Sequence, residues 1–283
     1  MKERAGFLPM RVLGTKLARF AVMALMGVGT ASALYADNFV VTYDAAGTTT
    51  PVKSDVCSSQ PGAQCWIGQQ NFDSGAPTAG SVFPTYTSEG GLTGNISGTY
   101  SSGLVVTAAD QFGGAGGTGS YADVTGPGSY TLTLIASDLP GGVNYFGLWF
   151  SALDLGNKLQ FYDGSQLEYT FGPAQFISLV GSCSTAGGFC GNPSGTYVEQ
   201  DGGQQYAFLN FYDYGGEITS ITFSEAAHDG GFESDNHTVG YMNPIALDGT
   251  IIPATPEPGT FALFGSGLLG LAGFARRRIG RRA

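Results

Sequence analysis

Residues 158–167 read Lys158-Leu159-Gln160-Phe161-Tyr162-Asp163-Gly164-Ser165-Gln166-Leu167, and this stretch predicts a β-hairpin. Before the turn, apolar Leu159 and Phe161 alternate with polar Lys158 and Gln160, so that one face of the strand is apolar. The pair Asp163-Gly164 favours a tight turn because both residue types tolerate a positive φ. The chain is therefore expected to return after Gly164 as a second, antiparallel strand.

The same short-strand character recurs through the middle of the chain, where Gly, Asn, Asp and Pro clusters separate the apolar runs and no useful helical period is present. The other predicted strands are Phe39–Tyr43, Leu104–Ala108, Tyr130–Ser137, Tyr145–Leu153, Leu167–Phe171, Tyr206–Tyr212, Ile218–Phe223, Val239–Met242 and Ile245–Ile251. Many short strands with regular turns are typical of a β-sandwich or jelly roll. We therefore predict an all-β domain over residues 37–252. Its Gly/Ser/Thr-rich part, about 75–128, is expected to form loops and edge strands or a looser N-terminal layer.

The charge is distributed unevenly along the 283 residues. Between Asp37 and Pro256 there are only two lysines, Lys53 and Lys158, against 20 acidic residues, a formal net charge of −18. Such a surface repels phosphate backbones, which excludes nucleic acid as a partner. It also repels acidic polymers and attracts divalent cations.

Residues 1–36 have the order of parts of a secretory signal peptide. Basic residues precede an apolar run from Phe20 to Val28, and Ala31-Ser32-Ala33 matches the small-residue cleavage pattern, with Ala36 as a second cleavage point. The alternative is an uncleaved membrane anchor. The apolar run has nine residues, far fewer than the ~20 that span a bilayer.

The C-terminal segment, residues 253–283, has three parts in strict order. Pro256-Glu257-Pro258 comes first, the uncharged run Phe261–Phe274 follows, and Arg276, Arg277 and Arg278 come next. The run predicts a transmembrane helix over 261–274, and the arginines are expected to stop it in the inner membrane with a cytoplasmic end. A plain anchor that is never cut is the alternative.

This three-part tail resembles the PEP-CTERM sorting signal of Gram-negative bacteria. The resemblance implies that an exosortase, a membrane-embedded cysteine-protease-like transpeptidase, recognises and cuts the tail after export. The product would then be released or attached at the cell surface. Residues 100–245 are also similar to a recurrent group of exosortase-dependent surface proteins. The motifs that carry this likeness are Asp110–Gly119, Asn144–Trp149, Leu159–Gly164 and Phe232–Asn236. This second resemblance implies a sandwich domain of unassigned activity, similar in outline to carbohydrate-binding jelly rolls.

The four cysteines form two close pairs in Gly/Ser/Pro-rich loops, Cys57 with Cys65 and Cys183 with Cys190. Export permits disulfides, so we predict one local disulfide within each pair. A four-cysteine metal site is the alternative. Spacings of eight and seven residues do not match the usual C-x₂₋₄-C ligand pairs.

Two further patterns have the residue types of known sites. Gly114-Ala115-Gly116-Gly117-Thr118-Gly119 matches G-x-G-x-x-G, but no helix is predicted to follow, so it is interpreted as a glycine-rich turn rather than a dinucleotide site. The segment Ala227–Thr238 contains His228 and His237, the only histidines. It is interpreted as a polar loop closing the sandwich. In a metal-binding alternative, Asp229, Glu233 and Asp235 would supply oxygen ligands to Ca²⁺.

The aromatic residues leave two functions open. Exposed rings could stack on sugars, with Tyr145, Trp149, Tyr162, Tyr169, Tyr212 and Tyr214 as candidates, or most of them could belong to the core. Our first prediction is a non-enzymatic cell-surface or extracellular-matrix protein deposited in exopolysaccharide. The second is a carbohydrate-binding module with structural Ca²⁺ as an option. An enzyme is the third, because no pair among the carboxylates stands out.

Overall fold

The structure is a computed structural model that describes residues 38–51, 57, 60–183, 188–227, 230–253 and 266–267. Its described part consists of two antiparallel sheets that pack face to face as a β-sandwich, and the all-β prediction is confirmed. The predicted signal peptide lies outside the described residues. So does the predicted sorting helix, apart from Ser266 and Gly267.

The sandwich contains fifteen strands and one short α-helix among the described residues, besides two 3₁₀ turns, Ala115–Gly117 and Gly195–Tyr197. In chain order they are β1 Phe39–Tyr43, β2 Gln64–Gln70, β3 Ser81–Val82, β4 Thr85–Glu89, β5 Asn95–Tyr100, β6 Val105–Ala108, β7 Ser120–Asp123, β8 Gly128–Ser137, β9 Tyr145–Leu153, β10 Asn157–Asp163, β11 Gln166–Phe171, α1 Ala174–Val180, β12 Gln205–Asp213, β13 Ser220–Glu225, β14 Glu233–Asn243 and β15 Thr250–Ile252.

The two sheets differ in size. The first sheet has the order β15-β1-β12-β9-β14-β2-β4, with β7 also paired to β14 and β6 to β7. The second has the order β11-β10-β13-β8-β5-β3. Strands far apart in sequence are neighbours in both sheets, so the fold depends on long-range pairing rather than on hairpins alone.

The hairpin that indicated the fold class is present. β10 and β11 pair antiparallel, with Asp163 opposite Gln166, and Gly164 adopts a φ of 55° in the turn. Leu159 and Phe161 are buried, whereas Lys158 is exposed on the other face. The alternation in the sequence therefore predicted the orientation of this strand correctly.

Aromatic rings from both sheets fill the space between them. Phe146 on β9 lies 6.0 Å from Phe161 on β10 and 6.0 Å from Phe223 on β13, measured between ring centroids. Phe150 stacks on Phe232 at 4.4 Å. Each of these rings is buried and is surrounded by other apolar side chains. Burial of this apolar surface is the main force that holds the sheets together.

The structure also differs from the sequence-based prediction. The segment of about 75–128 supplies β3 to β7 to the two sheets; β3, β4 and β6 are edge strands, as one of the two alternatives predicted, whereas β5 and β7 each pair with strands on both sides. The predicted loop Ala227–Thr238 is wrong from Glu233 onward, where β14 begins. Polar residues such as Asp235 and His237 have weak strand propensity, but pairing with β9 and β2 holds them extended.

Two segments outside the sheets explain smaller differences. Helix α1 was not predicted because its seven residues are too few for a clear helical period; it follows Pro173 and ends at Gly181, whose N–H donates to Ile177 O at 2.9 Å. The predicted strand Ile245–Ile251 shortens to β15. Gly249, at a φ of 79°, turns the chain immediately before it.

The four cysteines lie in the two predicted pairs. The sulfurs of Cys57 and Cys65 are 2.01 Å apart, and those of Cys183 and Cys190 are 2.17 Å apart. The first bond ties a loop to β2, and the second closes the segment before β12. Among the described residues, the cysteines do not form a metal-binding cluster with one another or with His, Asp or Glu side chains.

We predict that peptide mapping without reductant will recover both local bonds from protein secreted into an oxidising compartment. Each closes a short loop, so its loss should lower stability by roughly 2–3 kcal/mol. Replacing both Cys57 and Cys65 by Ser, followed by urea unfolding, measures that loss. A cross-linked peptide joining Cys57 to Cys183 would contradict the pairing, and free thiols on the mature protein would argue against export.

Candidate functional site

The residues proposed as sugar-stacking aromatics separate by burial. Tyr145, Trp149 and Tyr212 are fully buried, and Tyr162 and Tyr169 are partly buried. Tyr214, just after β12, remains 52% exposed. Among these six rings, Tyr214 therefore offers the most open face to a ligand.

His237 belongs to the core rather than to a loop. Its ring stacks on Phe223 at 4.9 Å and is fully buried. Nδ1 lies 3.1 Å from the Tyr100 hydroxyl, and Nε2 lies 2.9 Å from the Ser234 hydroxyl. Burial lowers the pKa of His237 to about 3, so the ring is neutral at physiological pH. Both ring nitrogens have partners, and the Ser234–His237 pair is sealed from substrate.

The glycine-rich turn covers the outer face of the first sheet. Residues Ala115–Gly117 form one 3₁₀ turn and lead into β7 without a helix, as interpreted from the sequence. Ala115 N donates to Asp235 Oδ2 at 2.8 Å, and the Tyr206 hydroxyl donates to Gln111 O at 2.9 Å. This turn buries Trp149 beneath it together with Tyr206. Its role in the structure is to seal a sheet face that would otherwise expose aromatic rings.

A group of carboxyls lies beside that covered face. Burial and then the nearby Asp123 raise the pKa of Glu233 to about 8. Burial also raises the pKa of Asp235 to about 7, against the opposing effect of its backbone hydrogen bonds from Ala115 and Asn236. Asp123 Oδ1 is buried and has no hydrogen-bond partner among the described residues. These groups therefore bind protons more tightly in the folded protein than in the unfolded chain.

The two proposed metal ligands that the structure describes lie on one strand. Glu233 and Asp235 are two residues apart on β14, whereas Asp229 and His228 lie outside the described residues. Within residues 38–51, 57, 60–183, 188–227, 230–253 and 266–267, no group of three or more His, Cys, Asp or Glu side chains is arranged to hold a metal ion. The calcium hypothesis therefore depends on Asp229 or on backbone oxygens.

We predict that stability falls as the pH rises from 6.5 to 8. In this window the folded state still holds protons on Glu233 and Asp235 that the unfolded chain has released, so unfolding becomes easier with rising pH. His237 has the opposite effect, but it acts below about pH 6.5. Each raised carboxyl can contribute up to ~1.4 kcal/mol per pH unit.

The Glu233→Gln variant should lose most of this dependence, because its amide does not titrate. Urea unfolding at pH 6.5, 7.25 and 8 measures the slope in both proteins. Glu89→Gln, at an exposed position on β4, is the matched control and should keep the wild-type slope. If the unfolding free energy of Glu233→Gln changed with pH as steeply as that of the wild type, the Glu233 carboxyl would not be the source of the pH dependence.

A concave pocket lies at the end of the first sheet where β9 begins and β12 and β14 end. Its volume is about 470 Å³. Asp213, Asn144, Tyr241 and Met242 are among its lining residues, as are the exposed Tyr214 and Asn243. Its volume lies in the ~300–1,000 Å³ range of small-ligand pockets, but it is shallow and widely open to solvent rather than enclosing.

Local hydrogen bonds fix the inner part of this end pocket. Asn144 bridges β9 to β14, donating Nδ2 to Met242 O and accepting Met242 N at Oδ1, both at 2.9 Å. Asp213 N donates to Asn144 O at 3.0 Å. Asp213 Oδ1 accepts Gly215 N at 2.8 Å and Gly216 N at 3.1 Å. The pocket is thus built from the backbone and rigid side chains.

Sequence reasoning did not single out Asp213. An aspartate followed by Tyr214-Gly215-Gly216 at the end of a covered strand is a turn signal, because a carboxylate can accept the N–H groups two and three residues later. That signal predicts the turn only. The pocket arises because residues from 141–144 and 241–245 lie beside the turn in space.

Comparison with known proteins identifies the tail and leaves the sandwich unmatched. Residues 254–278 match the family described as the PEP-CTERM protein-sorting motif. The match includes Pro256, Glu257 and Pro258 and extends through Arg278. No curated protein and no solved structure matches the chain. None of the helices among the described residues is long and apolar enough to cross a membrane.

The motif bears on how the protein is exported and processed. It implies exosortase as the processing partner and a secreted, membrane-anchored precursor that is processed to the cell surface. The three-part order of the tail, from Pro256 to Arg278, agrees with that route. Residues 254–278 thus carry the PEP-CTERM protein-sorting motif, which supports exosortase-dependent sorting of an exported surface protein.

Proposed function

We propose that the mature sandwich is a non-enzymatic component of the cell surface or of the extracellular matrix. The main support for this proposal is the sorting motif at residues 254–278, which comes immediately after a strongly acidic sandwich in the chain. A net charge of −18 between Asp37 and Pro256 keeps such a protein soluble and separate from anionic surfaces. Neutral polysaccharide of the matrix is then the natural environment of the domain.

The packing of the acid–base groups supports a non-catalytic role. A general acid or base must come within hydrogen-bond reach of its substrate. His237 and Ser234 are sealed in the core, and Asp235 is covered by the glycine-rich turn. The raised pKa values of Glu233 and Asp235 follow from burial first, which is the ordinary result of covering carboxyls.

Surface labelling tests the proposal. Lys158, exposed on β10, is one of only two lysines between Asp37 and Pro256. A membrane-impermeant amine reagent applied to intact cells should modify Lys158, and Lys158→Arg should remove that labelled peptide. The purified protein should also release no reducing ends from polysaccharides. Labelling that needs cell lysis would contradict surface exposure, and saturable release of reducing ends would contradict the non-enzymatic assignment.

A carbohydrate-binding module is the second candidate function. The observation that favours it is the end pocket, which combines the buried carboxylate of Asp213 with the exposed ring of Tyr214. Protein sites for sugars combine polar acceptors with an aromatic face, because a sugar ring has hydroxyls at its edge and C–H groups on its face. This likeness is one of chemistry and does not depend on a related fold.

The carbohydrate-binding candidate includes a structural calcium ion. A divalent cation near Glu233 would relieve the mutual repulsion with Asp123 that helps to raise the Glu233 pKa. We predict that thermal unfolding midpoints in Ca²⁺ and in chelator differ by several degrees, by mass action. Glu233→Gln should reduce this difference. Identical melting curves with Ca²⁺ and with chelator, at low and moderate salt, would remove calcium from the proposal.

A further inference from the structure

The described chain leaves the sandwich beside helix α1. Strand β15 lies at the edge of the first sheet, where it pairs only with β1 among the described residues. The carbonyl of the next residue, Pro253, accepts a hydrogen bond from Gln175 Nε2 of α1 at 3.1 Å. The match to the sorting motif begins at residue 254. Helix α1 and strand β15 therefore surround the point at which the motif begins.

The short distance from Pro253 to the motif limits where a processing enzyme can bind. An extended residue spans at most ~3.6 Å, so three residues place Pro256 within ~11 Å of Pro253, and eight place Phe261 within ~29 Å. A single helix with its side chains is already ~10–12 Å wide. An enzyme that grips the segment Pro256–Pro258 must therefore contact the end of the sandwich that α1 and β15 form.

This end of the sandwich is uncharged in a strongly acidic domain. The chain has 20 acidic residues between Asp37 and Pro256, yet the sequence from Tyr169 to Val198, which includes α1, has no charged side chain, and neither has 249–253. Asp248, just before that second stretch, has its Oδ2 atom buried. A partner can therefore approach α1 and β15 without removing water from an ionised side chain on either element.

Three large apolar side chains are exposed around the exit point. They are Leu179 on α1, Leu247 before β15 and Ile251 on β15, and 48%, 41% and 54% of their surfaces are exposed. Leu179 lies four residues after Gln175, on the same side of α1 as the residue that holds Pro253. We call Leu179, Leu247 and Ile251 together the exit face.

The exit face rests on rigidly packed elements. Phe176 of α1 is fully buried, and its ring packs edge-on against Tyr43 and Phe189, with ring centroids 5.2 and 5.5 Å away. On β15, Ile252 is buried and pairs with β1. Because these elements are already ordered, little of the free energy of binding a partner is lost in ordering them.

The charge of the domain favours a protein partner over a lipid surface or a second copy. A formal net charge of −18 between Asp37 and Pro256 repels anionic lipid headgroups and also another copy of the same domain. Three partly exposed side chains also fall short of the continuous apolar face with which an amphipathic helix enters a membrane. An uncharged surface of the enzyme that already holds the adjacent motif meets neither obstacle.

We infer that the exit face is a docking surface for the exosortase that cuts the sorting tail. The enzyme packs against Leu179, Leu247 and Ile251 while it holds the motif, so the sandwich adds affinity and positions the motif for cutting. The inference rests on the processing that the motif implies, and not on either function proposed for the mature domain.

Paired substitutions in the full-length precursor test the exit face. Leu179→Gln with Ile251→Thr removes exposed apolar groups and preserves helix and strand propensity. Val82→Thr with Ile135→Thr is the matched control, because these side chains are 54% and 62% exposed on β3 and β8 of the second sheet. Pulse-chase labelling measures the rate of tail removal in cells with an exosortase, and thermal melts of the processed proteins check that they are folded.

A longer tether separates docking from general effects on folding or export. Each precursor is also made with about twelve Gly and Ser residues inserted between Thr255 and Pro256, which adds a mean separation of ~20 Å and lets the enzyme hold the motif away from the sandwich. In a further pair of precursors, Ile251 or, as the control, Ile135 is replaced by a photo-crosslinking phenylalanine analogue. Illumination with an inactivated exosortase then identifies the molecule that contacts the exit face.

Tail removal should be at least about fivefold slower for Leu179→Gln with Ile251→Thr and unchanged for the control pair. In the extended precursor, the exit-face pair and the unsubstituted chain should be cut at equal rates, because docking no longer contributes. The probe at position 251 should crosslink to the exosortase, whereas the probe at position 135 should not.

Three results would overturn the inference. They are a wild-type cutting rate for the exit-face pair, an equal slowing of that pair in the extended precursor, and crosslinking from position 251 to lipid or to a second copy alone. A wild-type precursor that is never cut in the presence of an exosortase would overturn the processing route as well as the docking surface. The functions proposed for the mature domain have their own tests and stand apart from these outcomes.

Discussion

Protein recovered from the cell surface should lack the segment from Pro256 to Ala283. We predict that the uncharged run Phe261–Phe274 enters the inner membrane and that the arginines after it hold the precursor there until it is cut. A 14-residue helix is about 21 Å long, so flanking residues must help it to cross the ~30 Å hydrocarbon core. A helix of that length would suffice for temporary retention before processing.

Glu257 and the arginines of the tail should have different effects when replaced. Pro256 and Pro258 favour an extended backbone and remove two N–H donors, which leaves a segment that a processing enzyme can grip. Glu257 is the only charged side chain in that segment, so Glu257→Ala should remove a feature for recognition and leave the precursor anchored but uncut. Replacing Arg276, Arg277 and Arg278 by Asn should instead weaken retention and reduce correct processing.

Intact mass of the surface protein, in cells with and without an exosortase, measures both effects. The shortened form should accumulate only with the exosortase, and the change should be close to all-or-none. Glu168→Ala, an acidic residue in the sandwich, is a matched control for Glu257→Ala and should leave processing unchanged. A mature protein that retains the arginine cluster would show that the tail is an ordinary anchor.

The second large effect is expected in the sandwich core, where Phe146→Ala should lower the free energy of unfolding by ~3–5 kcal/mol. Phe146 is fully buried, and its ring centroid lies between 5.7 and 6.4 Å from those of Phe161, Phe211, Phe223 and His237. Removing it leaves a cavity between the sheets that surrounding strands cannot easily fill. That loss is a large part of the 5–15 kcal/mol that typically stabilises a domain.

Equilibrium unfolding in urea, with the disulfides intact, measures the change. Tyr214→Ala is the comparison, because its ring is 52% exposed and the substitution should cost under ~1 kcal/mol. Phe146→Leu should lie between the two, since it retains part of the volume. A loss for Phe146→Ala no larger than that for Tyr214→Ala would contradict the role of this ring in joining the sheets.

The local sequence was informative wherever a feature depends on neighbouring residues. Alternation and the Asp163-Gly164 turn predicted β10 and β11, and β1 and β9 were predicted with the bounds that the structure has. It was less informative for β2, β5 and β7, whose short runs contain glycine or polar residues. These strands form because a neighbouring strand supplies their hydrogen bonds and covers one face.

The residues of the candidate site show even more clearly that local sequence does not predict contacts between distant strands. Asp213 and Asn144 are 69 positions apart in the chain, and Tyr241 is a further 28 beyond Asp213, yet all three line one pocket. Their proximity follows from the strand order β12-β9-β14, which no local pattern specifies. His237 was likewise placed in a loop because its polar neighbours suggested one, and only the pairing of β14 buries it.

By itself, the sequence determined the sorting motif, the acidic charge of the domain, its all-β class and the two close cysteine pairs, because each depends on composition or on residues near one another in the chain. The tertiary structure alone decided which aromatic rings are buried, which carboxyls have raised pKa values, and which distant residues, such as Asp213 and Tyr241, line the same pocket. These properties depend on contacts between distant strands, and such contacts are selected by packing two sheets over a common core, not by the preferences of any single segment.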